Sequence, residues 1–249
     1  MLQLDTAGLS DIGRKRDNQE DAFLVDDQHN LYVVADGMGG HLAGEVASQM
    51  VVDTLRAAAS DPNHYPTARE DASHMAEAGR LAAWVCGANR KVYELSLRDE
   101  HCRGMGSTVA ALLFLNDRVA AVNVGDSPIY RVRGNGIEML SAMHTVAAER
   151  SSMDPEAMEL LSGLFQHMLT RAVGIDADVQ PHVREETCRN GDSFIICSDG
   201  LSNAVSTEEI REVMGRENAR GACRRFVEMA NERGGDDNVT VIVIRAFRE

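Results

Sequence analysis

The sequence predicts an α+β protein in which antiparallel sheets are covered by helices. Short apolar runs of strand length recur along the chain. Several are joined by tight polar turns such as Asn116-Asp117 and Gly134-Asn135-Gly136, which suit hairpins rather than parallel crossovers. Long stretches at 42–59, 69–97 and 207–233 carry apolar residues at helical spacing with mixed outer faces, as helices lying on a sheet do. No linker or low-complexity tract divides the chain, so its 249 residues read as one domain.

The elements follow in order. Residues 2–10 alternate and suggest a first strand, and a charged loop from Gly13 to Asp21 leads into a second at Ala22–Val25. Leu31–Ala35 is a short buried strand that ends at Asp36, where Gly37, Gly39 and Gly40 let the backbone turn. Helix 42–59 stops at Asp61-Pro62, and helix 69–97 follows a loop. Gly104–Thr108 opens a meander with strands at Val109–Leu115, Arg118–Val124, Ile129–Val132 and Ile137–Leu140. Residues 141–174 lose strand character, with a short helix expected from Pro155. Insertions of this length act as lids or recognition elements, so 141–174 reads as a flap-like insertion. His144 and His167 within it read as surface or packing histidines. Strands at Val183–Thr187 and Ser193–Cys197, a capped helix at Thr207, a second helix from Ala219 and a strand at Val239–Ile244 complete the chain.

Composition narrows the function. The net charge of −14 argues against a nucleic-acid or anionic-membrane surface. The five cysteines are odd in number and have no zinc-ligand spacing, which suggests free thiols in a reducing compartment. Neither a signal peptide nor an apolar run near the roughly 18 residues of a membrane span is visible. A cytoplasmic protein is expected.

The apolar strand that runs into Asp-Gly occurs twice, at Asp36 and Asp199. Asp237 stands beside glycine at the start of the last strand, and Glu20, Asp21 and Asp126 hold comparable places. Any one of these fits an incidental turn equally well. Together, converging carboxylates repel one another, and divalent cations would relieve that repulsion. All-oxygen ligands favour Mg²⁺ or Mn²⁺ over Zn²⁺.

Seven motifs then come in a familiar order: Arg16-x-x-x-Glu20-Asp21, Asp36-Gly37-x-Gly39-Gly40, Gly104-x-Gly106-Ser107-Thr108, Gly125-Asp126-Ser127, Leu169-Thr170-Arg171-Ala172-x-Gly174, Ser198-Asp199-Gly200-Leu201 and Gly235-x-Asp237-Asn238-Val239-Thr240. Their order and spacing resemble the metal-dependent type 2C (PPM) Ser/Thr protein phosphatases, over nearly the whole chain, in the form of a compact bacterial member. The resemblance implies a four-layer α-β-β-α sandwich, two antiparallel sheets with helices on both outer faces. It implies two Mn²⁺ or Mg²⁺ ions bridged by Asp36. Asp199 and Asp237 would complete the first site, and the Gly37 carbonyl and Glu20 would serve the second. Asp126, sharing Asp199, would hold a weaker third ion. Asp21 and Asn238 would stand behind these ligands. A water activated by both ions would attack phosphoserine or phosphothreonine directly, with Arg16 forking two phosphate oxygens. Neither a phosphoenzyme nor a catalytic cysteine is expected. The implied partners are a phosphorylated protein substrate and an opposing Ser/Thr kinase, with no nucleic acid and no membrane, and the protein is expected to be a monomer.

The chain departs from the family pattern in places. Met38 stands where some relatives have a histidine proton donor, and His41, three residues on, is the candidate substitute. Met143 precedes His144 where many relatives have aspartate, and Asn203 replaces an acidic residue, which weakens the case for the third ion. Pro128 stands where relatives often have arginine, and no function is attached to it. Three other readings stay open on the sequence: a phosphatase in a partner-switching (anti-sigma antagonist) circuit, a non-catalytic phosphoprotein-binding module on the same fold, and an unrelated metallohydrolase.

Overall fold

The computed structural model describes residues 2–39, 43–61, 76–150 and 168–248. Eleven strands form among these residues: β1 (Gln3–Asp11), β2 (Asp21–Asp26), β3 (Leu31–Met38), β4 (Gly106–Ser107), β5 (Val109–Leu115), β6 (Arg118–Val124), β7 (Ile129–Arg133), β8 (Gly136–Met139), β9 (His182–Thr187), β10 (Ser193–Cys197) and β11 (Val239–Phe247). One sheet has the order β1-β11-β10-β7-β8 and the other β2-β3-β5-β6-β9, with β4 added to β3. Every pairing is antiparallel.

The helices are α1 (Ala43–Ser60), α2 (Ala76–Arg98), α3 (Val146–Arg150), α4 (Asp199–Ser202), α5 (Thr207–Arg216) and α6 (Ala219–Glu232). Three buried clusters make the layers. Val51, Leu55, Leu81 and Val85 of α1 and α2 pack on Leu31, Val33 and Ala35 of the second sheet. Ile210, Phe226 and Ala230 of α5 and α6 pack on Ile195, Val241 and Val243 of the first. Between the sheets lie Tyr32, Val34, Leu112, Phe194, Ile196 and Ile242. Alternate residues of β3 thus enter different cores, which is why Leu31–Ala35 is apolar throughout. This is the α-β-β-α sandwich expected from the sequence.

Most predicted elements lie within a residue or two of those expected; β3 and β11 run three residues past their expected ends, and β4, α3 and α4 are additional. Strand β3 does not stop at Asp36: it continues to Met38 because Gly37 and Met38 pair with Ser107 and Gly106 of β4. Gly37 is needed for proximity, not for a turn, since a Cβ there would lie 2.1 Å from the Gly44 carbonyl of α1. A further short helix, α4, starts at Asp199. The helix expected from Pro155, residues 69–75 of the second helix, His41 and His167 lie outside the described residues. The five cysteines are unpaired. Among the described residues no helix is long and apolar enough to cross a membrane.

Candidate active site

The loops and strand ends at one end of the two sheets enclose a cleft of about 520 Å³. Arg16, Glu20, Asp36, Gly37, Asp126, Asp199, Asp237 and Asn238 all line it. The structure therefore brings together the carboxylates that the sequence scatters over more than 200 positions. Asp21 is paired with Asp36 across β2 and β3 and lies behind the cleft wall, buried.

Each of these residues is held by neighbours from another motif. The Asp36 N–H donates to Thr108 Oγ1 at 3.0 Å, and its carbonyl accepts from the Thr108 N–H at 2.8 Å. Thr108 Oγ1 in turn shares a 2.7 Å hydrogen bond with Ser127 Oγ, next to Asp126. Ser198 Oγ donates to Asp21 Oδ2 at 2.8 Å and accepts from the Thr240 N–H at 3.0 Å. Asn238 Oδ1 accepts from the Glu20 N–H at 2.7 Å, while its Nδ2 donates to the Ile12 and Asn18 carbonyls. Gly200 allows the segments bearing Asp199 and Asp237 to meet: a Cβ there would stand 2.1 Å from the Asn238 carbonyl oxygen. His144, buried, accepts from the Gly125 N–H through Nδ1 at 3.1 Å and so braces the turn before Asp126.

The electrostatics are those of a buried acidic cluster. Burial raises the Asp36 carboxyl well above the usual range, and Asp21, Asp199, Asp237 and Asp126 raise it further. Burial chiefly pushes Asp21 up to about 7, with Asp199 and Asp237 adding to it against the hydrogen bonds it accepts. Glu20 is raised by burial and partly offset by Arg16. Asp21 Oδ1 is buried without a hydrogen-bond partner. At the cleft mouth Arg16 Nη2 donates to Asp237 Oδ2 at 2.7 Å, and Asn203 Nδ2 reaches Asp199 Oδ2 at 3.3 Å.

These observations fit divalent cations: the donors are all oxygen, and their mutual repulsion is what a cation would relieve. Among the described residues no three acidic, histidine or cysteine side chains close on a common point, so the donors line the cleft without forming a finished cage. Sequence reasoning assigned no role to Ser198, Thr108, Ser127 or His144, which tether the acidic groups. Nor did it place Met168, Ile175, Arg171 and Asp176 on the cleft wall.

Known proteins resemble this chain in sequence and fold. The model of the family described as protein phosphatase 2C matches residues 7–239. The serine/threonine protein phosphatase PstP of Mycobacterium tuberculosis is 35% identical over 246 residues, 97% of this chain and 45% of PstP, so the chain spans about half that relative's length. Protein phosphatase PhpP of Streptococcus pneumoniae is 30% identical over 250 residues, 97% of each chain. A crystal structure of M. tuberculosis PstP superposes with a TM-score of 0.84 at 32% identity, covering 98% of this chain and 99% of that one. A structure of the PstP catalytic domain in complex with two manganese ions gives 0.83 at 32% identity, with both chains covered completely. The chain belongs to the protein phosphatase 2C family.

Proposed function

We propose that this chain is a divalent-metal-dependent phosphatase that hydrolyses phosphoserine and phosphothreonine in proteins. The observation that carries the reading is the single cleft in which Asp36, Asp199, Asp237, Glu20 and Asp126 face one another beside Arg16. The names of PstP and PhpP support the reaction, and the two manganese ions of the PstP catalytic domain support the cofactor.

Asp36, Asp199, Asp237, Glu20 and the Gly37 carbonyl would hold two Mn²⁺ or Mg²⁺ ions, and Asp126 with Asp199 a weaker third. When bound, such a pair supplies Lewis acidity that acidifies water and offsets charge on the phosphoryl oxygens. The protein's own work is positioning. The Thr108–Ser127 bond fixes the Asp36 backbone, and Asn238 fixes Glu20. Arg16, which pairs with Asp237 at the cleft mouth, would offer its planar fork to the phosphate oxygens. Met38 lines the cleft and carries no transferable proton. His41 is the candidate donor to the leaving oxygen, and an unchanged pH–rate profile in His41→Ala removes it. The biological opponent is a Ser/Thr kinase, and the protein acts as a monomer.

The test is hydrolysis of a phosphothreonine peptide with Mn²⁺, with Mg²⁺ and with chelator, for wild type and Asp199→Asn. Turnover that needs metal and is lost in the variant is expected. A folded protein inactive under every metal would favour the non-catalytic binding module.

A further inference from the structure

We infer that the cleft carries an apolar subsite, formed by Met38, Met168 and Ile175, for a hydrophobic side chain flanking the phosphorylated residue of the substrate. This rests on the phosphatase reading above and deepens it.

The first observation is exposure. Met168 is 51% exposed and Ile175 44% exposed, two of eight large apolar side chains that face solvent among the described residues, and both border the cleft that holds the carboxylates. Met38 joins them: a Cβ built on Gly106 would lie 2.8 Å from Met38 Cε and 2.9 Å from Ile175 Cδ1. Met38 and Ile175 thus adjoin, and with Met168 they give a strongly acidic cleft an apolar share of its wall, beside Arg171 and Asp176.

The second observation is that this side is rigidly built. Asn89, buried on α2, accepts from the Gly174 N–H at 2.7 Å and donates to the Asp176 and Ala177 carbonyls at 3.0 and 3.2 Å. Val173 exchanges hydrogen bonds of 2.8 and 3.0 Å with Ser107. Gly174 takes φ +90° and packs so closely on Val92 that a Cβ would meet it at 2.3 Å. The loop is clamped on both sides of Ile175, yet Ile175 itself points out of the core. A well-anchored backbone that displays an isoleucine at the mouth of a reaction cleft is organised for contact.

The third observation is continuity with the phosphate site. An extended substrate advances about 3.3–3.6 Å per residue. A chain that brings its phosphorylated residue to the carboxylates must lay its neighbouring residues across the walls of the same 520 Å³ cleft. The occupant that suits Met38, Met168 and Ile175 is an aliphatic or aromatic side chain of that substrate. An acidic one would meet apolar surface beside an acidic cluster, with the nearby Arg171 already paired with Glu149 at 3.2 Å.

The experiment compares kcat/KM, with Mn²⁺, for phosphothreonine peptides that differ only in the flanking residues: leucine, serine or aspartate. Wild type should prefer the leucine peptide over serine by roughly tenfold, with aspartate poorest. Ile175→Leu should keep the preference, Ile175→Asn should level it, and Ile175→Lys should favour aspartate. Equal rates for the three peptides in wild type, or ratios that the asparagine and lysine variants leave unmoved, would overturn the subsite and leave the phosphatase standing. Absence of turnover for every peptide and for a small aryl phosphate would overturn both.

Discussion

At the scale of the residue, the site separates groups that do chemistry from groups that hold them. Arg16 is half-exposed, and its ion pair with Asp237 is solvent-screened, so it adds little to stability. Its value lies in the paired N–H groups it offers to phosphate. Arg16→Lys should therefore raise KM about tenfold while leaving the melting temperature nearly unchanged, since a charged hydrogen bond contributes about 1.5–3 kcal/mol. Steady-state kinetics beside a thermal melt would check both halves, and a collapse in stability would contradict the assignment. Ser198 is the converse case. It is fully buried and bonds both Asp21 and the Thr240 N–H. Ser198→Ala leaves a carboxylate oxygen and an amide unpaired and should cost about 1–3 kcal/mol in urea denaturation of the metal-free protein. A loss below about 0.5 kcal/mol would show that water replaces the hydroxyl. The sequence made the carboxylates visible because they recur at the ends of apolar strands within seven ordered motifs, although each Asp-Gly alone fits an incidental turn. It placed Ser198, Thr108 and Ser127 within the motifs but gave them no role, because their hydrogen bonds join segments far apart in sequence.

At the scale of the element, local periodicity was readable and pairing was not. Most strands and helices declare themselves by an apolar run or a helical period with a clear breaker, such as Asn116 at φ 56° between β5 and β6. The extension of β3 through Gly37-Met38 was not legible. It depends on β4, two residues that have no strand signature of their own and are ordered only by pairing. The role of Asn89 was equally hidden. On a helix it reads as an ordinary polar residue, yet it holds the loop that bears Ile175 and Asp176. Asn89→Ala removes an acceptor from the buried Gly174 N–H and donors from two carbonyls. It should destabilise the protein by about 1–3 kcal/mol, measured by chemical denaturation. Hydrogen exchange of the Gly174 amide should accelerate more than that of β5. Uniform acceleration through the whole sheet would mean that Asn89 supports the core in general, not this loop in particular.

At the scale of the whole molecule, two sheets and two helical layers hold a cluster of like charges at one end of the sandwich, and stability and metal binding are thereby linked. In the unfolded chain an aspartate titrates near 3.9. In the folded, metal-free protein burial pushes Asp21 up to about 7 and Asp36 well above the usual range. The folded state thus keeps protons that the unfolded state gives up, and these groups withdraw stability as pH rises from about 4 through 7. His144 works in the opposite sense: burial, with Arg171 beside it, lowers it to about 4, so it withdraws stability as pH falls below its unfolded value. That contribution is common to the protein with and without metal and cancels in a comparison of the two. Divalent cations bind the ionised carboxylates, stabilise the native state by mass action and compete with protons. The gain in melting temperature on adding Mn²⁺ to chelated protein should therefore grow between pH 5 and pH 8. It should reach about 5–10 °C with free ion at about 100 times its Kd, from about 2.7 kcal/mol of linkage spread over a domain of this size. A gain that stays constant or shrinks across that range would mean that the ion does not displace protons from the Asp36 and Asp21 cluster. The repulsion among the carboxylates would then be relieved by some other means.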